Sequence, residues 1–172
     1  MPRYYKYRRS YVKRVYPRKR WASNIVTKNL LLSLNVGEKT AWSYVPLVSN
    51  SGQEDVPTPT LLKFGRCKIK GDIRTDLTAD RNYVSGIVYV VYVPEGFSNS
   101  PDIIKQHPEY IIGWTQLSLD SGNAFTFSSS LKRNLNSGDK IIILFTIDST
   151  NSTQTVRAFN FYFTAQFWVT TS

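Results

Sequence analysis

Segments in which every second residue is apolar recur along this sequence and constrain its fold more than any other feature. The clearest one covers residues 156–171, where four phenylalanines occupy odd positions. Successive side chains of a β-strand point to opposite faces, so this spacing predicts a strand with one apolar face. The even positions are mostly polar, and Tyr162 and Trp168 are the large exceptions.

Other stretches with the length and composition of strands lie at residues 29–36, 41–48, 61–75, 84–93, 110–119, 124–131 and 141–147. Turn residues at 120–123 predict a hairpin between the stretches on either side. Pro101 favours the first position of a helix, but Pro108 would end that helix after about two turns. Seven or eight strands with at most one short helix predict an all-β sandwich, and several long loops favour Greek-key crossings.

Two of the predicted strands carry further information about their surroundings. Residues 84–93 are apolar on both faces, which predicts a central strand or a face buried by a neighbouring subunit. In the stretch 61–75, Cys67 shares an apolar face with Ile69, so we expect Cys67 to be a small core residue. The opposite face carries the basic stripe, defined as Arg66, Lys68, Lys70 and Arg74. Asp72 and Asp76 share that face and weaken its charge.

The charge of the chain is concentrated at one end. The sequence has 22 Lys and Arg, 12 Asp and Glu, and a formal net charge of +10. Residues 1–20 contain nine of the basic residues and no acid, which leaves 13 basic and 12 acidic residues, a net of +1, for residues 21–172. Since the basic end also has too few aliphatic residues for a core, we expect residues 1–24 to be a disordered arm and residues 25–172 to be the folded domain.

The arm combines cations with aromatic rings, which is typical of binding to single-stranded nucleic acid. Lys and Arg neutralise phosphates, while Tyr and Trp stack on unpaired bases. The predicted nucleic-acid-binding residues of the arm are Arg3, Lys6, Arg8, Arg9, Lys13, Arg14, Arg18, Lys19, Arg20, Tyr4, Tyr5, Tyr7, Tyr11, Tyr16 and Trp21. The basic stripe is a weaker candidate, with a solvated outer face as its alternative. The cations at 18–20 also fit a signal read by a nuclear import receptor, and a solubilising tail is the other interpretation of the arm.

Little in the sequence supports an enzyme, a cofactor or a metal site. It lacks the Gly-rich phosphate-binding motifs and the nucleophile motif Gly-x-Ser-x-Gly. A single Cys and a single His cannot build a zinc finger, and we expect His107 to be a surface loop residue. Asp72, Asp76 and Asp80 recur every four residues but through a strand end and a turn, so we expect no shared metal ion. No apolar run approaches the length of a membrane span, and the first residues do not read as a secretory signal.

Three segments together carry a family resemblance: PRYYKYRRSYVKRVYPRKRW at residues 2–21, LLKFGRCKIKGDI at residues 61–73 and NFYFTAQFWV at residues 160–169. Joined to an all-β body, they resemble the capsid proteins of circovirus-like viruses, whose small circular single-stranded DNA genomes encode a replication initiator. The chain is shorter than a circovirus capsid protein, and its arm has more Lys and Tyr and fewer Arg.

The resemblance implies an eight-stranded jelly roll and about sixty copies of the chain in a closed icosahedral shell. It also implies an arm directed inward onto packaged single-stranded DNA, a place in the virion, and a stay in the host nucleus during assembly. A nearly neutral body with surplus aromatic surface agrees with subunits that bury one another.

Two other functions remain open on the residues alone. The first is a non-capsid, monomeric or dimeric protein that binds single-stranded nucleic acid through the arm and the basic stripe. The second is a nuclease, which would require metal-dependent cleavage that is lost when Asp72 or Asp76 is changed.

Overall fold

The computed structural model describes residues 20–51, 60–75, 84–117, 124–152 and 154–171. The strands in chain order are β1 (Ala22–Leu34), β2 (Thr40–Ser49), β3 (Leu62–Thr75), β4 (Val84–Val93), β5 (Ile111–Leu117), β6 (Ala124–Ser129), β7 (Arg133–Leu135), β8 (Lys140–Ser149) and β9 (Arg157–Thr171). A short helix, α1 (Asp102–Gln106), and a 3-10 turn (Pro108–Tyr110) stand between β4 and β5. β1 begins at Ala22, so it includes residues 22–24, which the sequence assigned to the arm.

The strands form two antiparallel sheets whose order is that of a jelly roll. The five-stranded sheet has the order β1-β9-β3-β6, with β7 also paired to β3, and the four-stranded sheet has the order β2-β8-β4-β5. All of the recorded strand pairs are antiparallel. The chain therefore crosses repeatedly from one sheet to the other, as Greek-key connections require. The predicted all-β class and the single jelly roll with about eight antiparallel strands are confirmed, and the three-residue β7 is an addition.

The main core lies between the two sheets. Five of the six apolar odd positions of β9 are buried, as the alternation predicts, and Val169 is partly buried; the five are Phe159, Phe161, Phe163, Ala165 and Phe167. From the facing sheet, the ring of Phe145 approaches those of Phe161 and Phe163 with centroid distances of 4.8 and 5.3 Å. Cys67 is buried in the same cluster, which confirms its prediction as a core residue.

A second apolar cluster explains why β4 is apolar on both faces. β4 lies between β8 and β5, so it is a central strand. Val91 and Val93 belong to a separate buried cluster with Ile142 and Leu144 of β8 and with Ile103 of α1. The helix of the same chain thus covers this part of the outer face of the four-stranded sheet.

Two local predictions were wrong. β5 and β6 do not form a hairpin, because β5 pairs with β4 in the four-stranded sheet and β6 pairs with β3 in the other sheet. An alternating pattern defines the apolar face of a strand but not its neighbour, so a turn sequence fits a crossing between sheets as well as a hairpin. Pro101 is also the N-cap of α1 and not its first helical residue, whereas the five residues of α1 lie within the limit of about two turns that Pro108 sets.

A bulge in β3 sets the phase of the basic stripe. Phe64 and Cys67 are both buried, although three positions separate them. Between them, Gly65 and Arg66 lie opposite the single residue Trp168 of β9. The bulge accommodates the extra residue, so apolar side chains on both sides of it point into the core.

A buried carboxylate holds the turn between β7 and β8. Asp139 is 4% exposed and accepts hydrogen bonds from the Tyr92 hydroxyl at 2.7 Å and from the N–H groups of Glu95 at 3.1 Å and Asn136 at 2.8 Å. Gly138, with φ of 84°, supplies the left-handed conformation that this turn needs. Burial, followed by the hydrogen bond to Asp139, raises the pKa of Tyr92 to about 12.

Candidate nucleic-acid interface

The basic stripe lies on the outer face of the five-stranded sheet. Arg66, Lys70 and Arg74 are exposed and Lys68 is partly buried, while the residues between them point toward the core. Side chains on one face of a strand recur about every 6.6 Å, so the stripe forms a regular row of cations. The structure places the four side chains on one face, as the alternation predicts, and their part in binding stays a prediction.

The stripe is not neutralised by neighbouring acids within the described residues. The ion pairs found there join Lys105 to Asp102 and His107 to Glu109, both far along the chain from β3. Asp72 shares the face, as expected, and is exposed. Four cations and this one carboxylate give residues 66–74 a net charge of +3. This face therefore attracts polyanions, and the attraction will weaken as salt increases.

Polar and aromatic side chains of β9 lie directly beside the stripe. The pairs across the two strands are Lys68 with Gln166, Lys70 with Thr164, Asp72 with Tyr162 and Arg74 with Asn160. The Arg74 guanidinium lies 5.5 Å from the centre of the Tyr162 ring, which is 47% exposed. Hydroxyl and amide groups bind phosphate and sugar oxygens, and exposed rings stack on bases.

A second aromatic group, the tryptophan site, closes one end of this face; we define it as Trp21, Trp168, Arg66 and Lys132. The indole of Trp21 lies so close over Gly65 that a Cβ there would be 2.6 Å from the indole Cζ3. The Lys132 ammonium is 5.7 Å from the Trp21 ring centre, and the Arg66 guanidinium is 5.9 Å from that of Trp168. The four side chains and Gly65 border an open depression of about 410 Å³.

The structure places two of the fifteen predicted arm residues, Arg20 and Trp21, and the other thirteen lie outside the described residues. Arg20 is exposed, and Trp21 is 38% exposed beside the β3 bulge. The last residues of the predicted arm thus lie next to the basic stripe.

Sequence reasoning missed two residues of this region as binding candidates. Trp168 was visible as a large aromatic residue on the polar face of β9, and that position was the signal that could have identified it. Lys132 approaches Trp21 because β7 pairs with β3, and this long-range contact leaves no local pattern in the sequence.

Two other residues that the sequence singled out, His107 and Cys67, are held by contacts within the fold. His107, expected on a surface loop, is partly buried: its ring stacks on Tyr110 with centroids 4.8 Å apart, and its Nδ1 lies 3.0 Å from Glu109 Oε1. Burial raises the pKa of the Cys67 thiol to about 12, so the reactive thiolate is disfavoured.

The metal hypothesis rested on three aspartates, of which Asp76 and Asp80 lie outside the described residues. The part of the chain that the structure describes contains no group of three or more His, Cys, Asp or Glu side chains that could hold a metal ion. No helix in that part is long and apolar enough to span a membrane.

The outer face of the four-stranded sheet has a different character, and we call its four rings, Trp42, Tyr44, Tyr89 and Trp114, the aromatic face. Tyr44 lies opposite Leu144, Leu144 opposite Tyr89, and Tyr89 opposite Trp114, so a row of apolar side chains crosses the sheet. Trp42 and Trp114 are 46% and 59% exposed. A groove of about 340 Å³ separates Trp42 and Tyr89 from α1. Exposed aromatic rings grouped on one face are typical of interaction sites.

A scan of the sequence against protein-family profiles gives no match, and a search of curated proteins gives none. Among solved structures, the BFDV capsid protein in a decameric form matches with a TM-score of 0.39 and 9% identity, over 89% of this chain and 99% of that chain. The 60-mer of the same protein matches with a TM-score of 0.39 and 9% identity, over 90% of this chain and 95% of that chain.

Two further matches have similar scores. Desmodium yellow mottle tymovirus matches with a TM-score of 0.34 and 12% identity, over 86% of this chain and 88% of that chain. A lipoprotein of Bacteroides thetaiotaomicron matches with a TM-score of 0.34 and 11% identity, over 86% of this chain and 82% of that chain. The chain is similar in fold to viral capsid proteins, one of them from a circovirus. A likeness at these identities and TM-scores carries no argument about function.

Proposed function

We propose that this chain is a viral capsid protein whose copies assemble into a small icosahedral shell, of about sixty subunits, around single-stranded DNA. The basic arm that precedes β1 binds the DNA, and the jelly roll builds the shell. The protein acts as a structural component of the virion and not as an enzyme.

The observation that carries this proposal is the division of charge between two parts of one chain. Residues 1–20 hold nine cations and no acid, whereas residues 21–172 have a net charge of +1. Nearly neutral bodies pack together without long-range repulsion, and phosphates neutralise the arms. About sixty arms would bring on the order of several hundred positive charges to one particle, enough to couple assembly to nucleic acid.

The two outer faces of the sandwich support the two activities. The basic stripe and the last residues of the arm, Arg20 and Trp21, lie at the face of the five-stranded sheet. The aromatic face belongs to the other sheet and exposes Trp42 and Trp114. Burying such rings against another copy removes apolar surface from water, which is worth roughly 25 cal/mol per Å² before the costs of association.

Electron microscopy of the purified full-length chain, with and without single-stranded DNA, tests the proposal. We expect closed particles that form with DNA or at a salt concentration that screens the arms, and a matching high-mass peak in size-exclusion chromatography. A monodisperse monomer at high protein concentration, both with and without DNA, would contradict a capsid function.

A non-capsid protein that binds single-stranded nucleic acid is the second candidate, and the basic stripe on the folded body favours it. Removal of residues 1–20 separates the two functions. A capsid protein should lose most of its DNA binding while particles still form. A binding protein of the second kind should keep substantial affinity through the stripe and form no particles in either version.

We also infer that Arg18, Lys19 and Arg20 form a signal for a nuclear import receptor, since compact basic clusters are typical of such signals. Residues 1–24 fused to a fluorescent protein should accumulate in the nucleus of transfected cells. Changing these three residues to Ala should disperse the fusion. Changing Arg3, Lys6 and Arg8 to Ala removes the same charge and is the matched control; an equal loss of nuclear signal would assign the effect to total charge.

A further inference from the structure

The depression beside the β3 bulge has the chemistry of a nucleotide site. We propose that the tryptophan site, formed by Trp21, Trp168, Arg66 and Lys132, binds one unpaired nucleotide of the single-stranded DNA. The inference rests on the proposed DNA packaging and deepens it, because it gives the folded body a base-stacking site of its own.

Two indoles supply the surface for a base. Trp21 and Trp168 come from opposite ends of the chain, one before β1 and one in β9, and both line the same depression. Stacking of a base on an aromatic side chain raises affinity by roughly 5- to 150-fold per base and tolerates every base, since each has a π-face. A depression of about 410 Å³ is large enough for a base.

Two cations supply the partner for a phosphate. Lys132 lies 5.7 Å from the Trp21 ring centre and Arg66 5.9 Å from the Trp168 ring centre, so each indole has a positive charge beside it. Within the described residues, neither cation forms an ion pair with a carboxylate. An aromatic surface flanked by free cations is complementary to a nucleotide, which joins a flat ring to an anion.

The site lies at one end of the basic stripe, in which Asp72 is the one acidic residue. From Arg66 the stripe runs along β3 to Arg74, a length of about 26 Å at 3.3 Å per residue. At the far end Arg74 lies beside the Tyr162 ring, which repeats the pairing of a cation with an aromatic side chain. A single strand whose base occupies the depression can therefore continue along the stripe with its phosphates over the cations.

The β3 bulge builds the site. Gly65 leaves room for Trp21 to lie against the backbone, and a side chain there would displace the indole. Because Gly65 and Arg66 are two residues opposite one, Arg66 is directed toward Trp168 on the neighbouring strand. Stacking on the two indoles uses the π-face that every base has, so we expect little sequence preference.

The test compares two probes of equal length and charge, a thymidine 10-mer and the abasic 10-mer, at about 0.2 M salt, where the phosphate contribution to affinity is reduced. The measured quantity, for the full-length chain, is the dissociation constant of the abasic probe divided by that of the thymidine probe. This ratio is above one when bases contribute to binding. We expect Trp168→Leu and Trp21→Leu each to lower this ratio by roughly fivefold or more. Trp42→Leu, an equal change on the aromatic face, should leave the ratio as in the unmodified chain.

Three results would overturn the site. If the ratio is unchanged in both Trp21→Leu and Trp168→Leu, the tyrosines of the arm bind the bases instead. If Trp168→Leu prevents particle formation in the absence of DNA, the depression is a contact between subunits. If the unmodified chain binds neither probe, the DNA-packaging function fails, and that outcome differs from a chain that binds both probes without using this site.

Photocrosslinking keeps the proposal testable if a Trp variant does not fold. A 5-bromouracil 10-mer irradiated with the unmodified chain should crosslink to the peptides that contain Trp21 or Trp168. Crosslinks confined to tyrosines of residues 1–19, or to Trp42 and Trp114, would contradict the site.

Discussion

The two outer faces of this sandwich are built on the same fold but differ in chemistry. The five-stranded sheet presents cations at alternate positions of β3, with hydroxyl and amide groups opposite them on β9. The four-stranded sheet presents valines and isoleucines, partly covered by α1, and exposed rings toward its two edge strands. One face is therefore suited to a charged, hydrated polymer and the other to another protein surface.

Under the proposed function, one jelly roll serves two partners through separate faces. The residues between the sheets make a common core, so each outer face can change in composition while the strand order is kept. Neither the basic stripe nor the aromatic face is part of that core, and α1 packs on a separate cluster at the outer face of the four-stranded sheet. Substitutions on one face should leave the other intact, and the following changes test this separation from the largest expected effect to the smallest.

The covered part of the four-stranded sheet should be the most sensitive. Ile103→Ala removes the buried side chain through which α1 packs on Val91 and Val93, and we expect the free energy of unfolding to fall by about 2–4 kcal/mol. Urea denaturation of the unassembled chain measures it. Ile104→Ala, at a partly buried neighbour, is the control and should cost less; equal losses would mean that α1 does not cover the sheet as described.

The exposed part of the same sheet should matter for assembly and little for folding. Trp114→Lys places a charge where a 59% exposed indole stands, so we expect the unfolding free energy to change by less than about 1 kcal/mol. The protein concentration needed for particle formation should rise by roughly tenfold or more, as when a large aromatic side chain is removed from an interface. Gln116→Lys adds the same charge on the same face of β5, and an equal effect there would assign the loss to charge alone.

The five-stranded face should respond in DNA binding only. The double change Lys68→Glu and Lys70→Glu reverses two cations of the stripe, and we expect affinity for single-stranded DNA to fall by roughly tenfold at low salt. The slope of log affinity against log salt should decrease by about 0.7 for each phosphate that the stripe no longer neutralises. Lys105→Glu with Lys140→Glu makes the same charge change on the four-stranded sheet. If that control weakens binding as much, the two faces are not separate in function.

A smaller effect is expected from pH at the turn that both sheets adjoin. The pKa of Tyr92 is about 12 in the folded chain against an ordinary 10.0, because of burial first and the hydrogen bond to Asp139 second. Between these values the unfolded chain loses the proton before the folded chain does, so the contribution of Tyr92 to stability is complete below pH 10 and declines as pH rises toward 12. Urea denaturation at pH 9 and pH 11 should show a larger loss for the unmodified chain than for Tyr92→Phe. Equal losses would remove Tyr92 as the cause.

The sequence predicted the fold well where the pattern is local. The alternation in β9 identified its buried phenylalanines, and the alternation after residue 66 identified both the buried Cys67 and the exposed stripe. Each of these predictions needs the geometry of one strand. The proposed hairpin of β5 and β6 failed because the choice of neighbouring strand depends on the whole sandwich, and two strands with similar patterns satisfy either arrangement.

The residues of the tryptophan site also fall into two groups, those with a local signal in the sequence and those without one. Arg66 and Trp21 could be named from the sequence, because a cation on a polar face and an aromatic ring in a basic segment are local features. Their meeting with Lys132 and Trp168 could not be predicted, since it joins residues from four separate strands or strand ends. Gly65 gave no signal either, as its role depends on the indole that lies over it.

The bulge at Gly65 and Arg66 also determines where β3 tolerates a change of length. Side chains alternate between core and solvent on each side of the bulge, and the bulge itself places two residues of β3 opposite one residue of β9. Deletion of Gly65 would leave Phe64, Arg66 and Cys67 in regular alternation, so both halves of β3 would keep their faces, whereas deletion of one residue within the stripe would turn the residues beyond it to the opposite face. Changes of length should therefore be better tolerated at the bulge than within residues 67–74, where a single deletion would bury cations and expose apolar side chains together.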